Sequence, residues 1–267
     1  MYAFSYVSPK TVRQAASALA KAEDGKLLAG GQTLLPTMKQ RLAAPSVLID
    51  LGKVEGMTGI EIKGRTVVVG AMTRHADVAT SPVVQRAIPA LAALAEGIGD
   101  PAVRNRGTIG GSIANNDPAA DYPAAALALG ATIVTNKRKI AASDFFKGLF
   151  ETALEPGEVV VKVAFPIPSR AAYAKFPNPA SRYALTGVFV AKRGSDVRVA
   201  VTGAGASGVF RAAALEEALK KRFSPKSLDG VTLPSKGLNG DIHASPEYRA
   251  HLIGVMAKRA VAAAIGK

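Results

Sequence analysis

The sequence predicts an α+β protein in three consecutive units, and three observations carry that prediction. Short β-forming runs alternate with helical patterns as far as residue 168. Pro166-Ile167-Pro168 then ends a Val-rich run and is the best linker signal in the chain. Beyond it the order changes to strands first and helices afterwards, which implies α+β packing. The units are placed at residues 1–53, 54–168 and 169–267.

Taken in order, Thr11-Val12-Arg13-Gln14 reads as a capping box, with Val12, Ala15, Ala16 and Leu19 at helical spacing behind it. Asp24-Gly25 ends that helix, and Lys26–Leu28 enters a Gly-Gly loop. Leu34–Arg41 resumes a short helical pattern, so this loop sits where a strand hands over to a helix. Val47–Asp50 reads as a buried strand, and Ile60–Ile62 with Thr66–Gly70 as a hairpin. Thr73–Thr80 and Pro82–Gly97 read as helices, the second with an apolar stripe of Val84, Ala87, Ile88, Leu91 and Leu94. After a second Gly-Gly loop come an alanine-rich helix, Tyr122–Leu129, and a pair, Ala131–Thr135 with Lys139–Ala141. Ser143–Phe146 resembles a helix start, and Glu158–Phe165 is a strand. The last unit has β-like runs at Ala171–Phe176, Tyr183–Lys192 and Val197–Val201. Helices follow at Arg211–Arg222 and, from the Ser245-Pro246-Glu247 start, to about Ala264.

Composition narrows the function. With 267 residues and 48% hydrophobic content the chain has material for a real core. It has no cysteine, so it holds no disulfide and no thiolate-bound zinc or iron–sulfur cluster. His75, His243 and His251 lack ligand spacing and read as ordinary surface or helix residues; no metal site is expected. The net charge of +14 is scattered, aromatics are 6% and Trp is absent, which argues against a nucleic-acid partner and for a solvated surface or an acidic partner subunit. No apolar run is long enough for a transmembrane helix and no secretory signal is visible, so a cytoplasmic protein is expected.

Two short strings carry the chemistry: Ala29-Gly30-Gly31-Gln32-Thr33 and Thr108-Ile109-Gly110-Gly111-Ser112. Adjacent glycines allow positive φ and bare N–H groups that form an anion cradle. A tight turn in a buried sheet needs the same glycines, but two copies suit one diphosphate gripped from both sides. A third string, Gly203-Ala204-Gly205-Ala206-Ser207-Gly208, spells G-x-G-x-x-G. Val209-Phe210 separates it from the next helix and no strand ending in an acid follows, so it reads as a structural hairpin rather than a nucleotide site.

The AGGQT and TIGGS strings resemble the two flavin-diphosphate motifs of the medium, FAD-binding subunit of molybdenum hydroxylases, the xanthine dehydrogenase and carbon monoxide dehydrogenase group. The resemblance runs along essentially the whole chain. Thr33 stands where Ser is usual and Ser112 where Asn is usual. The resemblance implies an FAD-binding module of two α+β subdomains (FAD-binding type 2, PCMH-like) and a small C-terminal sheet-plus-helices domain. It implies that N–H groups of Gly30, Gly31, Gln32, Thr33, Thr108, Gly110 and Gly111 hold the diphosphate, with Ala29, Ile109 and Ser112 in the same strings. Lys26, Leu27, Leu28 and Leu34 would flank it; Ile98, Val103 and Gly107 would line the flavin pocket. Asn115 and Asp121 match polar positions around the ribityl and ribose hydroxyls, Asp121 being equally placed to cap the following helix. Tyr183 matches the residue that covers the isoalloxazine ring, although an aromatic beginning a strand is by itself a core residue. Arg182 replaces an acid common there, and Lys175 and Val159 are further members of the pocket.

The implied function is electron transfer, with no catalytic acid or base in this chain. Electrons would pass from a large molybdenum-cofactor subunit through a small iron–sulfur subunit to FAD here and on to an external acceptor, in a dimer of heterotrimers. A self-sufficient flavin oxidase or reductase and a non-catalytic nucleotide-binding protein are the alternatives.

Overall fold

The computed structural model describes residues 1–266. Strand β1 (Ser5–Val7) leads to helix α1 (Val12–Lys21), β2 (Gly25–Leu28), α2 (Leu34–Lys39) and β3 (Val47–Asp50). The capping box is formed in full: Gln14 N–H donates to Thr11 Oγ1 at 3.2 Å and Thr11 N–H to Gln14 Oε1 at 3.3 Å. The three strands make a parallel sheet in the order β1-β3-β2. Strand β1 carries no sequence signal, being three residues long and exposed throughout.

The middle of the chain builds a five-stranded antiparallel sheet. Strands β4 (Ile60–Lys63) and β5 (Thr66–Gly70) form the expected hairpin. Helices α3 (His75–Thr80), α4 (Pro82–Ala87), α5 (Pro89–Glu96), α6 (Pro101–Arg104), α7 (Ile109–Asn115) and α8 (Tyr122–Leu129) follow. The single helix expected over 82–97 is two helices. Pro89 supplies no N–H and restricts Ile88, whose φ of −142° and ψ of 70° lie outside the helical region. Strands β6 (Thr132–Thr135) and β7 (Lys139–Ala141), the one-turn α9 (Ala142–Phe145), a small ribbon of β8 (Phe146–Gly148) and β9 (Glu151–Thr152), and β10 (Val160–Pro166) complete this part. The sheet order is β4-β5-β10-β6-β7.

The remaining chain pairs β11 (Arg170–Pro177), β12 (Ala184–Arg193), β13 (Asp196–Thr202) and β14 (Phe210–Arg211) in sequence order, all antiparallel. Helices α10 (Ala213–Lys221) and α11 (Pro246–Ala264) pack on this sheet. Every residue of α8 is buried, which its all-round apolar sequence requires. It lies against β10 on one side and against β12 and β13 on the other, joining the two larger sheets. None of the helices among the described residues is long and apolar enough to cross a membrane.

Candidate functional site

A cleft of about 590 Å³ opens where the parallel sheet, the start of α7 and the loop before β12 meet. Most of the residues singled out in the sequence lie in its wall. Lys26, Leu27 and Ala29–Leu34 form one side; Gly107, Thr108, Gly110, Gly111, Ser112 and Asn115 face them. Ile98, Val103, Asp121, Val159 and Tyr183 complete the candidates that border it. Three do not. Leu28 packs beside Gly31 and Leu35, Ile109 is fully buried in the core, and Lys175 reaches Asp121 from β11 behind the wall.

The first glycine loop behaves partly as expected. Gly31 has φ of 73°, a conformation few residues other than glycine adopt. Gly30 does not have positive φ; it is required because a Cβ there would strike Arg106 O and lie 2.6 Å from Gly107 Cα. The glycine therefore lets the first loop press against the chain entering the second. The backbone N–H groups of Gly30, Gly31, Gln32 and Thr33 donate to no acceptor among the described residues. Four free donors on a concave loop are what an anionic diphosphate needs.

The second string corrects its expectation. It is not a turn but the first turn of α7, with Thr108 as N-cap. Neither Gly110 nor Gly111 has positive φ. Gly110 N–H donates to Ala71 O at 2.8 Å and Gly111 N–H to Thr108 Oγ1 at 3.2 Å, so neither is a spare phosphate donor. Gly110 lacks a side chain because Ala71 fills that space: a Cβ would lie 2.7 Å from Ala71 O. A Cβ at Gly111 would lie 3.4 Å from Ala29 Cβ, which places the two strings face to face. The first supplies open donors and the second supplies close approach.

Asp121 does not cap α8 with its side chain. Its carboxylate, 5% exposed, accepts from Tyr173 Oη and from Lys175 Nζ at 3.0 Å, and Lys175 also donates to Gly97 O at 3.0 Å. Burial raises the Asp121 pKa and the Lys175 charge opposes that rise. Tyr183 does not begin the strand and is not a core residue. It is 49% exposed on the loop before β12, where Asn178 N–H donates to Tyr183 O at 2.7 Å. Partial burial raises its phenol pKa, with Asp117 and Asp121 adding to the effect. Neighbouring Arg182 has φ of 62° and spans the cleft mouth to Gly99 O at 3.3 Å.

Some wall residues escaped the sequence reading. His75, which reads as an ordinary surface or helix residue, does begin helix α3, but it is 5% exposed and borders the cleft, with burial lowering its pKa to about 4. Met57, Ala71, Asp117 and Ser181 also contribute, and nothing in their local sequence marks them. Asn116, which does not border the cleft, is a further structural residue the sequence marks, as an asparagine ending a helix. It adopts φ of 45° and its side-chain amide donates to Gly148 O and Glu151 O, each at 2.8 Å. The G-x-G-x-x-G string is a structural hairpin as read. Gly203 N–H is consumed by Pro118 O at 2.8 Å, and Gly203 O accepts from the buried Arg249 guanidinium at 3.1 Å.

The comparisons agree with this geometry. The family described as the FAD binding domain in molybdopterin dehydrogenase matches residues 2–168. The nicotine 6-hydroxylase medium subunit of Paenarthrobacter nicotinovorans is 38% identical, covering 97% of this chain and 96% of its own. The carbon monoxide dehydrogenase medium chain of Hydrogenophaga pseudoflava is 37% identical, with 98% and 96% covered. Among solved structures, a carbon monoxide dehydrogenase from Hydrogenophaga pseudoflava superposes with a TM-score of 0.88 at 36% identity, covering 99% of this chain and 98% of that one. Quinoline 2-oxidoreductase from Pseudomonas putida 86 gives 0.87 at 31% identity, with 98% and 97% covered. An open-donor loop, a facing glycine helix start and a cleft within the range of nucleotide-sized sites fit FAD. The chain belongs to the FAD-binding family of molybdopterin dehydrogenases, as the FAD-binding medium subunit of an oxidoreductase of the molybdenum-hydroxylase type.

Proposed function

We propose that this subunit relays electrons from a partner's iron–sulfur clusters, reduced in turn by a molybdenum-cofactor subunit, to an external acceptor. The observation that carries the reading is the row of unspent N–H groups at Gly30–Thr33, set opposite the second glycine string across the cleft. Those donors would hold the diphosphate, with the Thr33 hydroxyl beside them. Gly111, where a Cβ would point toward Ala29, would let the second string lie close against it. Asn115 and Asp121 would meet the polar chain between diphosphate and ring. Ile98, Val103 and Val159 offer apolar surface to the ring, and Tyr183, half exposed at the mouth, would cover one face. FAD, when bound, supplies both one- and two-electron chemistry. This chain then has to bind, orient and partly shield the cofactor, and it needs no acid or base for that.

Units at 1–53, 54–168 and 169–267 form part of the same proposal. Among the described residues no sheet crosses either boundary, and the family match ends at residue 168. A dimer of heterotrimers working in the cytoplasm is the assembly proposed. The test is purification of the tagged chain from its own host. Co-purification of molybdenum- and iron-containing subunits, with flavin absorbance on this chain, is the expected result. A lone flavoprotein that turns over a substrate by itself would overturn it.

A further inference from the structure

His75 is the buried titratable group in the cleft wall that the reading above leaves without a task. It is the first residue of α3, and its own N–H is committed to Gly107 O at 3.0 Å. A bridge between Arg74 and Thr108 fixes the same junction, so the imidazole is set by the chain that enters the second glycine string. Its ring packs on Tyr122 with centroids 5.3 Å apart. Burial and the nearby Arg104 guanidinium both disfavour a proton on the ring, so the imidazole is neutral at physiological pH.

A neutral imidazole has one N–H, and its position follows from what each nitrogen meets. Nδ1 is buried with no hydrogen-bond partner among the described residues. Placing the proton there would strand a donor in the interior, whereas a bare acceptor is the lesser penalty. The proton therefore belongs on Nε2. That edge faces Gly107, where a Cβ would lie 2.5 Å from Nε2. Gly107 does not have positive φ, so its backbone would accept alanine; clearance for the imidazole edge is the physical reason for glycine here.

We propose that His75, through Nε2–H, is a neutral hydrogen-bond donor to an acceptor atom of the bound flavin nucleotide. It acts as a binding and positioning residue that the motif strings do not contain. The inference rests on the flavin reading of the cleft. The shared chemistry is an acceptor oxygen or nitrogen, which a diphosphate and the ribityl-flavin half both offer.

The test uses the whole chain, freed of flavin and titrated with FAD and with ADP, as wild type, His75→Leu and His75→Gln. ¹⁵N NMR of the wild-type histidines is recorded in parallel. The expected result is an Nε2–H tautomer between about pH 6 and 8 whose Nε2 signal moves on adding FAD. His75→Leu should bind FAD about 10-fold more weakly, the scale of one lost hydrogen bond. His75→Gln, whose amide reaches the position of Nε2, should recover most of that loss. An equal loss toward ADP assigns the acceptor to the diphosphate; ADP binding left unchanged assigns it to the ribityl-flavin half. Either result supports the proposal. An Nδ1–H tautomer, an Nε2 signal indifferent to FAD, or a folded leucine variant with wild-type affinity would overturn it. If the leucine variant fails to fold, the wild-type NMR decides. A wild-type protein that takes up no flavin would refute the flavin reading itself, and is recognised before any substitution is made.

Discussion

Gly110 and Gly111 are adjacent, both at the start of α7, and the structure gives them opposite jobs. Replacing each with alanine separates fold from site. At Gly110 the new Cβ would overlap Ala71 and lie 2.7 Å from its carbonyl oxygen, the acceptor of the Gly110 N–H at 2.8 Å. Overpacking of this kind costs about 1–3 kcal/mol, and a weakened backbone hydrogen bond adds roughly 1 kcal/mol. The gain in helix propensity returns at most about 1 kcal/mol. Gly110→Ala is therefore expected to lose about 1–3 kcal/mol of stability. At Gly111 the nearest neighbours are Thr108 Oγ1 at 3.0 Å and Ala29 Cβ at 3.4 Å. A strained cap and a better helix former nearly cancel, leaving stability within about 0.5 kcal/mol. The added methyl nevertheless intrudes between the two strings, and FAD affinity should fall about 10-fold or more, equivalent to roughly 1.4 kcal/mol. Urea unfolding of the flavin-free proteins and fluorescence titration with FAD measure the two effects independently. A Gly110→Ala protein as stable as its parent, or a Gly111→Ala protein that binds FAD normally, would refute the division.

Acid should find His75. Its folded pKa of about 4 lies below the ordinary 6.5, so the unfolded chain takes up the proton first. Its contribution is intact above about pH 6.5 and is lost progressively down to about pH 4, about 3 kcal/mol in all; urea midpoints across that range should flatten in His75→Gln. Tyr183→Ala should cost under about 1 kcal/mol rather than the 3–5 typical of a buried aromatic, while the rate of flavin reoxidation by air changes. An unchanged rate would remove Tyr183 from the ring face. Asn116→Ala loses two hydrogen bonds and a left-handed conformation that asparagine tolerates, together about 3 kcal/mol. Faster hydrogen exchange at the Phe150 amide, which Asn116 O accepts at 3.3 Å, would report the loosened β8–β9 ribbon.

What the sequence made legible was local. The Thr11 cap, the β4–β5 hairpin, the α8 run and the Ser245 start are written in neighbouring letters, and each appears in the fold within a residue or two. The glycine strings were found for a reason only partly right. Adjacent glycines point to positive φ and bare N–H groups, yet Gly30 and Gly110 are glycines because Gly107 and Ala71 come close, a property of residues distant in the chain. His75 was invisible for the same cause: its burial is produced by Gly107 and Tyr122, not by its own helix. Locally Asp121 reads as a helix cap, and its side chain instead turns toward Tyr173 and Lys175, more than fifty positions away.

The contacts of the C-terminal sheet reach further than packing. Thr202 Oγ1 donates to Ala120 O at 2.6 Å, Gly203 N–H holds Pro118 O, Lys175 and Tyr173 hold Asp121, and Arg182 bridges to Gly99. Residues 117–121 and the cleft mouth are thus tethered to strands outside the stretch that the family match covers. Binding free energy spent on those residues is distributed to both sides of residue 168. By linkage, a ligand that binds only the assembled wall stabilises the C-terminal sheet as much as the loops that touch it. A fragment ending at residue 168 would keep the glycine strings and still be a poor holder of flavin, because the loop that carries Asp117 and Asp121 would have lost its anchorage.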